Sequence, residues 1–100
     1  MDLQFLRDQI KDELNDSKMY AKLAIELKPM TEVWSKKFIE MSADEHKHAT
    51  ILYSMFNDYC SKLSEKYDEM PEYIDEIRSD VIDSFASCTA VIKAMWDIYK

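Results

Sequence analysis

Between Trp34 and Tyr59 the large apolar and aromatic residues recur at steps of four and three: Trp34, Phe38, Met41, Leu52, Met55 and Tyr59. Glu45 and His48 fill the two places left in that series. Such alternation is a heptad seam, which belongs to a helix packed along one face in a bundle and not to a strand. Residues three apart share a helical face about a turn from each other, so Glu45 and His48 are expected to point together into the bundle. A carboxylate in that position is costly unless it is paired, hydrogen-bonded or bound to a metal.

The rest of the chain agrees with helices. Its 100 residues include no glycine and only two prolines, Pro29 and Pro71, which suits long helices and not a turn-rich β fold. The prolines divide the chain into three predicted helices, at about 3–27, 32–66 and 71–99, within one domain spanning 1–100. Lys28-Pro29 ends the first, because a residue before proline disfavours the helical region. Thr31 is a candidate N-cap for the second, and Pro71 suits the first position of the third. The expected seam of the first helix is Leu3, Leu6, Ile10, Glu13, Ser17, Tyr20, Ala24 and Leu27. That of the third is Ile74, Ile77, Val81, Ser84, Cys88, Val91, Met95 and Ile98, flanked by Phe85, Ile92 and Tyr99. Asp75, Glu76, Asp80 and Asp83 lie largely off that seam, as a solvated face.

Glu13 therefore breaks the first seam as Glu45 and His48 break the second. A short connection makes the first two helices antiparallel neighbours. Glu13 stands sixteen residues before Pro29 and Glu45 sixteen after it. At ~1.5 Å per residue both lie about 24 Å from the turn, so Glu13, Glu45 and His48 are expected at one level. Three readings follow. The group binds a metal, since carboxylate and neutral imidazole suit iron, manganese or zinc. A protonated His48 pairs with the glutamates in a buried polar cluster. Or the three face water. The heptad and the matched depth favour the first.

The formal charge of −7 argues against nucleic-acid binding through a basic surface. No apolar run approaches a membrane span and "MDLQFLRDQI" has no signal-peptide pattern, so no membrane association and a cytoplasmic location are expected. Cys60 and Cys88 form no CxxC pair, which excludes a rubredoxin-type or zinc-ribbon module.

The segment "ELNDSKMY" (Glu13 to Tyr20), followed 32 residues after Glu13 by "EHKH", resembles the first half of a rubrerythrin or ferritin-like domain. In that family a ligand Glu, a Tyr seven residues later and a Glu-x-x-His on the next helix build a di-iron site, with a second Glu and a second Glu-x-x-His from two further helices. The resemblance covers about residues 3–60, and the third helix offers no second motif. It thus implies a half-site chain, similar in this respect to the encapsulated ferritins. Helices one and two would form half of a four-helix bundle completed by a homodimer or a higher even-numbered oligomer. No cargo-targeting tail follows "MWDIYK", so encapsulation is not carried over.

By resemblance, Glu45 is the bridging carboxylate, Glu13 the terminal one and His48 the nitrogen ligand, for two irons per dimer. Tyr20 would hydrogen-bond a ligand carboxylate. Asp44, one turn from His48, is placed to hold its other ring nitrogen, whereas His46 points elsewhere and is expected to be exposed. The implied activity is Fe(II) oxidation by dioxygen or peroxide. The alternatives are a rubrerythrin-like peroxidase supplied by a separate electron-donor protein, and a non-catalytic helical interaction protein with a structural metal site.

Overall fold

The computed structural model describes residues 2–100, which form three helices: α1 (Leu3–Leu27), α2 (Glu32–Ser64) and α3 (Glu72–Tyr99). Local chemistry sets their ends. The Asp2 side chain caps α1 by accepting from the Gln4 N–H at 2.9 Å. After Leu27 the chain turns through Lys28, Pro29 and Met30, and Thr31, with extended backbone, caps α2 by accepting from the Trp34 N–H. Pro71 immediately precedes α3, which begins one residue after the expected start. The α2 helix ends two residues before the expected boundary, where Glu65 and Lys66 turn back onto Lys62 and Leu63.

The helices lie side by side in a rod of 57 × 19 × 15 Å. α1 and α2 form an antiparallel hairpin, and α3 returns to pack mainly along α1. The core is built from Leu6, Ile10 and Leu14 of α1, Ala49 and Phe56 of α2, and Ile74, Ile77, Val81 and Ile92 of α3. Fully burying side chains such as Ile10, Leu14 and Phe56 stabilises the fold by roughly 1.5–3 kcal/mol each.

The helices are rotated from the expected seams. The buried line of α2 is Ser35, Ser42, Ala49, Phe56 and Cys60. Trp34, Met41 and Met55 stand 62%, 40% and 45% exposed, on a flank that no helix of this chain covers. The cause is size: serine and alanine let α1 and α2 approach closely, and the bulky residues are displaced outward. In α1, Leu14 and Ala21 take the core places expected of Glu13 and Tyr20, each one residue further along the chain. In α3 the predicted seam holds through Val81. Beyond it, Ile92 is buried and Phe85 and Trp96 pack on the core, while Val91 and Ile98 are exposed. Asp80 departs from a solvated face: it meets Lys11 of α1 at 2.7 Å.

Candidate metal centre

Two small residues fix the level of the site. Ser17 and Ser42 are fully buried where α1 and α2 touch. Each hydroxyl donates to the other's backbone carbonyl at 2.7 Å, and the two Oγ atoms are 3.2 Å apart. Trp96 Nε1 of α3 donates to Ser42 Oγ at 2.9 Å. An indole N–H can only donate, so Ser42 Oγ accepts there and keeps its own proton for the Ser17 carbonyl at 2.7 Å. Ser17 lies four residues after Glu13 and Ser42 three before Glu45. Each carboxylate thus stands one turn beyond a locked serine, on the same side of its helix.

The expected trio does come together. One donor atom from each of Glu13, Glu45 and His48 lies within 4.8 Å of the other two. His48 Nδ1 is 3.8 Å from Glu13 Oε2 and 3.9 Å from Glu45 Oε1. The side chains of Glu13 and Glu45 are 25% and 24% exposed and that of His48 is 54% exposed, so the group opens onto the uncovered flank rather than into the single-chain core. Glu13 Oε2 is buried and has no hydrogen-bond partner.

The electrostatics fit an electron-poor guest. The Glu13 carboxyl is pushed up to about 7, chiefly because in its protonated form it shares a hydrogen bond with Glu45. Burial and the negative charge of Glu45 add to this, and His48 opposes it. When both carboxylates are ionised neither can donate, which leaves Glu13 Oε2 without a partner. A divalent ion held at about 2.1 Å from oxygen or nitrogen supplies the missing charge. Two carboxylates and an imidazole form a donor set for iron, manganese or zinc, and the orphaned oxygen gives that set a place to bind.

The remaining candidates are placed as follows. Tyr20 is half-buried and stacks on Phe38, with ring centroids 6.0 Å apart. Asp44 is exposed, and the ionisable neighbours of the His48 ring are the two glutamates. His46 corrects the expectation of exposure. It lies between α2 and α3, 5.9 Å from the Phe85 ring and 5.5 Å from that of Trp96, and Nε2 meets Thr89 Oγ1 at 2.9 Å. Burial, with Lys93 nearby, lowers its pKa. Sequence reasoning missed the Ser42–Trp96 contact and this histidine's role because both depend on where α3 docks. The one available signal was the row of small residues Ser35, Ser42 and Ala49 at seven-residue spacing.

An antiparallel helical hairpin that presents two carboxylates and an imidazole at one level defines a half of a ferritin-like metal bundle. The sequence model of the Rubrerythrin family matches residues 4–96, nearly the whole chain, and the protein belongs to that family. Its members generally bind iron and are typically oligomeric. No curated protein and no solved structure matches the chain. Among the described residues no helix is long and apolar enough to cross a membrane.

Proposed function

We propose that two copies of the chain pair across the uncovered α1–α2 flank, bind two iron ions between them, and oxidise Fe(II) with dioxygen or peroxide. The observation that carries this reading is the buried, unpartnered Glu13 Oε2 beside Glu45 and His48. One chain offers two carboxylates and one imidazole, half of the donor set of a di-iron bundle. Trp34, Met41 and Met55 extend along the same α2 seam on both sides of Glu45 and His48 and are solvent-exposed in the single chain. The chain exposes 6558 Å², more than the roughly 5,900 Å² expected of a compact monomer of this mass. A twofold interface is self-complementary, so one such face can cover another.

Ferrous iron is substrate in this scheme. The two ions together release two electrons, which with two protons reduce one hydrogen peroxide to two waters and leave two ferric ions. The chain's own residues bind and position. Glu13 would give up its proton to become a terminal ligand, Glu45 would be the carboxylate shared by the two ions, and His48 would donate a ring nitrogen. Added negative charge from the carboxylates favours the ferric product over the ferrous substrate. Asp44 is exposed and Tyr20 stacks on Phe38, so the reading rests on the three ligands and gives neither of these a direct part. Family membership favours one second reading, a peroxidase re-reduced by an electron-donor protein.

The test is anaerobic loading with Fe(II), with bound iron per chain and particle mass measured together, followed by exposure to air or peroxide. About one iron per chain in an even-numbered assembly, with oxidation faster than buffer and lost in Glu45→Ala, is expected. Iron uptake without turnover would leave a structural metal site. Turnover only with an added reductant would favour the peroxidase. A strict monomer that takes no iron, zinc or manganese would overturn the reading.

A further inference from the structure

We propose that Trp96 of α3 is a positioning residue for the metal ligands, acting through Ser42. The inference rests on the metal-binding reading above and assigns to α3, which carries no ligand, a role in tuning the site.

The chain of contacts is short and directional. Trp96 Nε1 donates to Ser42 Oγ at 2.9 Å, the Ser42 hydroxyl donates to the Ser17 carbonyl and the Ser17 hydroxyl donates to the Ser42 carbonyl. Without the indole donor the two hydroxyls, 3.2 Å apart, are held by α1 and α2 alone, and the buried Ser42 Oγ loses its tie to α3. The indole N–H therefore anchors α3 to the hydroxyl pair that binds each helix backbone to the other. That cross-link lies one turn from Glu13 and one turn from Glu45. It fixes both the slide of α1 along α2 and the rotation that aims the carboxylates. A second contact keeps the indole in place: its ring meets that of His46 edge to face, and His46 Nε2 is tied to Thr89, about two turns before the indole on α3.

Packing alone does not account for this. A phenyl ring would fill much of the same partly buried space, but only the indole N–H can donate to Ser42 Oγ and tie α3 to the serine pair. Groups that orient metal ligands from outside typically change metal affinity by about 10–100-fold when removed. An effect transmitted through one more bond is expected near the lower limit, about 10-fold.

The experiment titrates the purified full chain with Co(II), a spectroscopic stand-in for Fe(II), and follows its visible absorption. The parent is compared with Trp96→Phe and Ser42→Ala, with helix content and particle mass monitored throughout. Trp96→Phe is expected to keep its helices, assembly and Co(II) stoichiometry, to bind about 10-fold more weakly and to show a shifted absorption band. Ser42→Ala is expected to shift the band in the same direction. If Trp96→Phe does not fold, Ser42→Ala carries the test alone, because it removes the atom through which the indole acts. Unchanged affinity and band shape in a folded variant would overturn the inference even if the melting temperature falls. A parent that binds no Co(II), Fe(II), Zn(II) or Mn(II) would instead overturn the metal-binding reading, so the two failures are distinguishable.

Discussion

Glu13 Oε2 lies 3.8 Å from His48 Nδ1, across the α1–α2 interface, and no group donates a hydrogen bond to it. The Glu13 carboxyl responds by holding its proton up to about pH 7. In the metal-free protein the carboxyl is thus protonated in the folded state at pH values where the unfolded chain has already lost the proton. Its contribution to stability is fully present below about pH 4.5 and is lost as pH rises to about 7. Lowered His46 acts in the opposite sense: its contribution is present above its ordinary value of 6.5 and is lost as pH falls. Comparing the metal-free parent with Glu13→Gln by urea unfolding at pH 5 and pH 8 isolates the carboxyl. The parent is expected to lose up to about 3 kcal/mol more than the variant on going to pH 8. Equal pH dependence in the two proteins would contradict the assignment.

Metal binding must remove that proton. Calorimetric titration with Zn(II) or Mn(II) at pH 6.5, in buffers of different ionisation enthalpy, is expected to show release of a fraction of a proton per ion, falling toward zero by pH 8. Affinity should weaken as pH drops below 7, since ligands bind in their deprotonated forms. Constant affinity from pH 5.5 to 8 would mean that Glu13 is not a ligand.

The exposed flank of α2 gives a prediction about assembly. Charge placed at Trp34 or Met41, which are 62% and 40% exposed in the single chain, is expected to leave the hairpin folded. Trp34→Lys with Met41→Lys should halve the particle mass in ultracentrifugation and abolish tight iron uptake together. A double variant that retains both mass and iron would place the interface elsewhere.

His46 is expected to matter for stability more than a surface histidine would. His46→Ala removes its contacts with Phe85 and Trp96 and leaves Thr89 Oγ1 without its partner. A loss of about 1–3 kcal/mol is expected, read as a fall of roughly 4–8 °C per kcal/mol in thermal unfolding. The Lys11–Asp80 pair should matter less. Its side chains are 39% and 37% exposed, so Lys11→Ala is expected to cost under about 1 kcal/mol, and less still in high salt.

Much of the fold was legible because its punctuation is local. Pro29, Thr31 and Pro71 marked helix ends that the structure places within two residues, and the equal distance of Glu13 and Glu45 from the turn brought them to one level. Rotation was not legible. The heptad rule gives the buried line to the largest apolar residues, whereas close contact between α1 and α2 selects Ser35, Ser42 and Ala49 on α2, which a hydropathy pattern scores as weak or polar. The docking of α3 was not legible either, because Phe85, Ile92 and Trp96 take core places through contacts with residues tens of positions away. For the same reason His46 looked exposed and Trp96 attracted no notice, while the meeting of Glu13, Glu45 and His48, set by one short turn, could be read.

The serine cross-link also decides where this chain can change length. A residue inserted between Ser42 and Glu45, or between Glu13 and Ser17, would turn the carboxylate about 100° around its helix and move it ~1.5 Å along the axis, while the cross-link stayed in place. A residue added to the turn at 28–31 lies outside that cross-link and can be looped out at little cost to the site. The segment 65–71 before α3 is equally free. Two spans of only a few residues, 13–17 and 42–48, therefore form the ruler of the molecule, and insertions or deletions compatible with metal binding fall outside them.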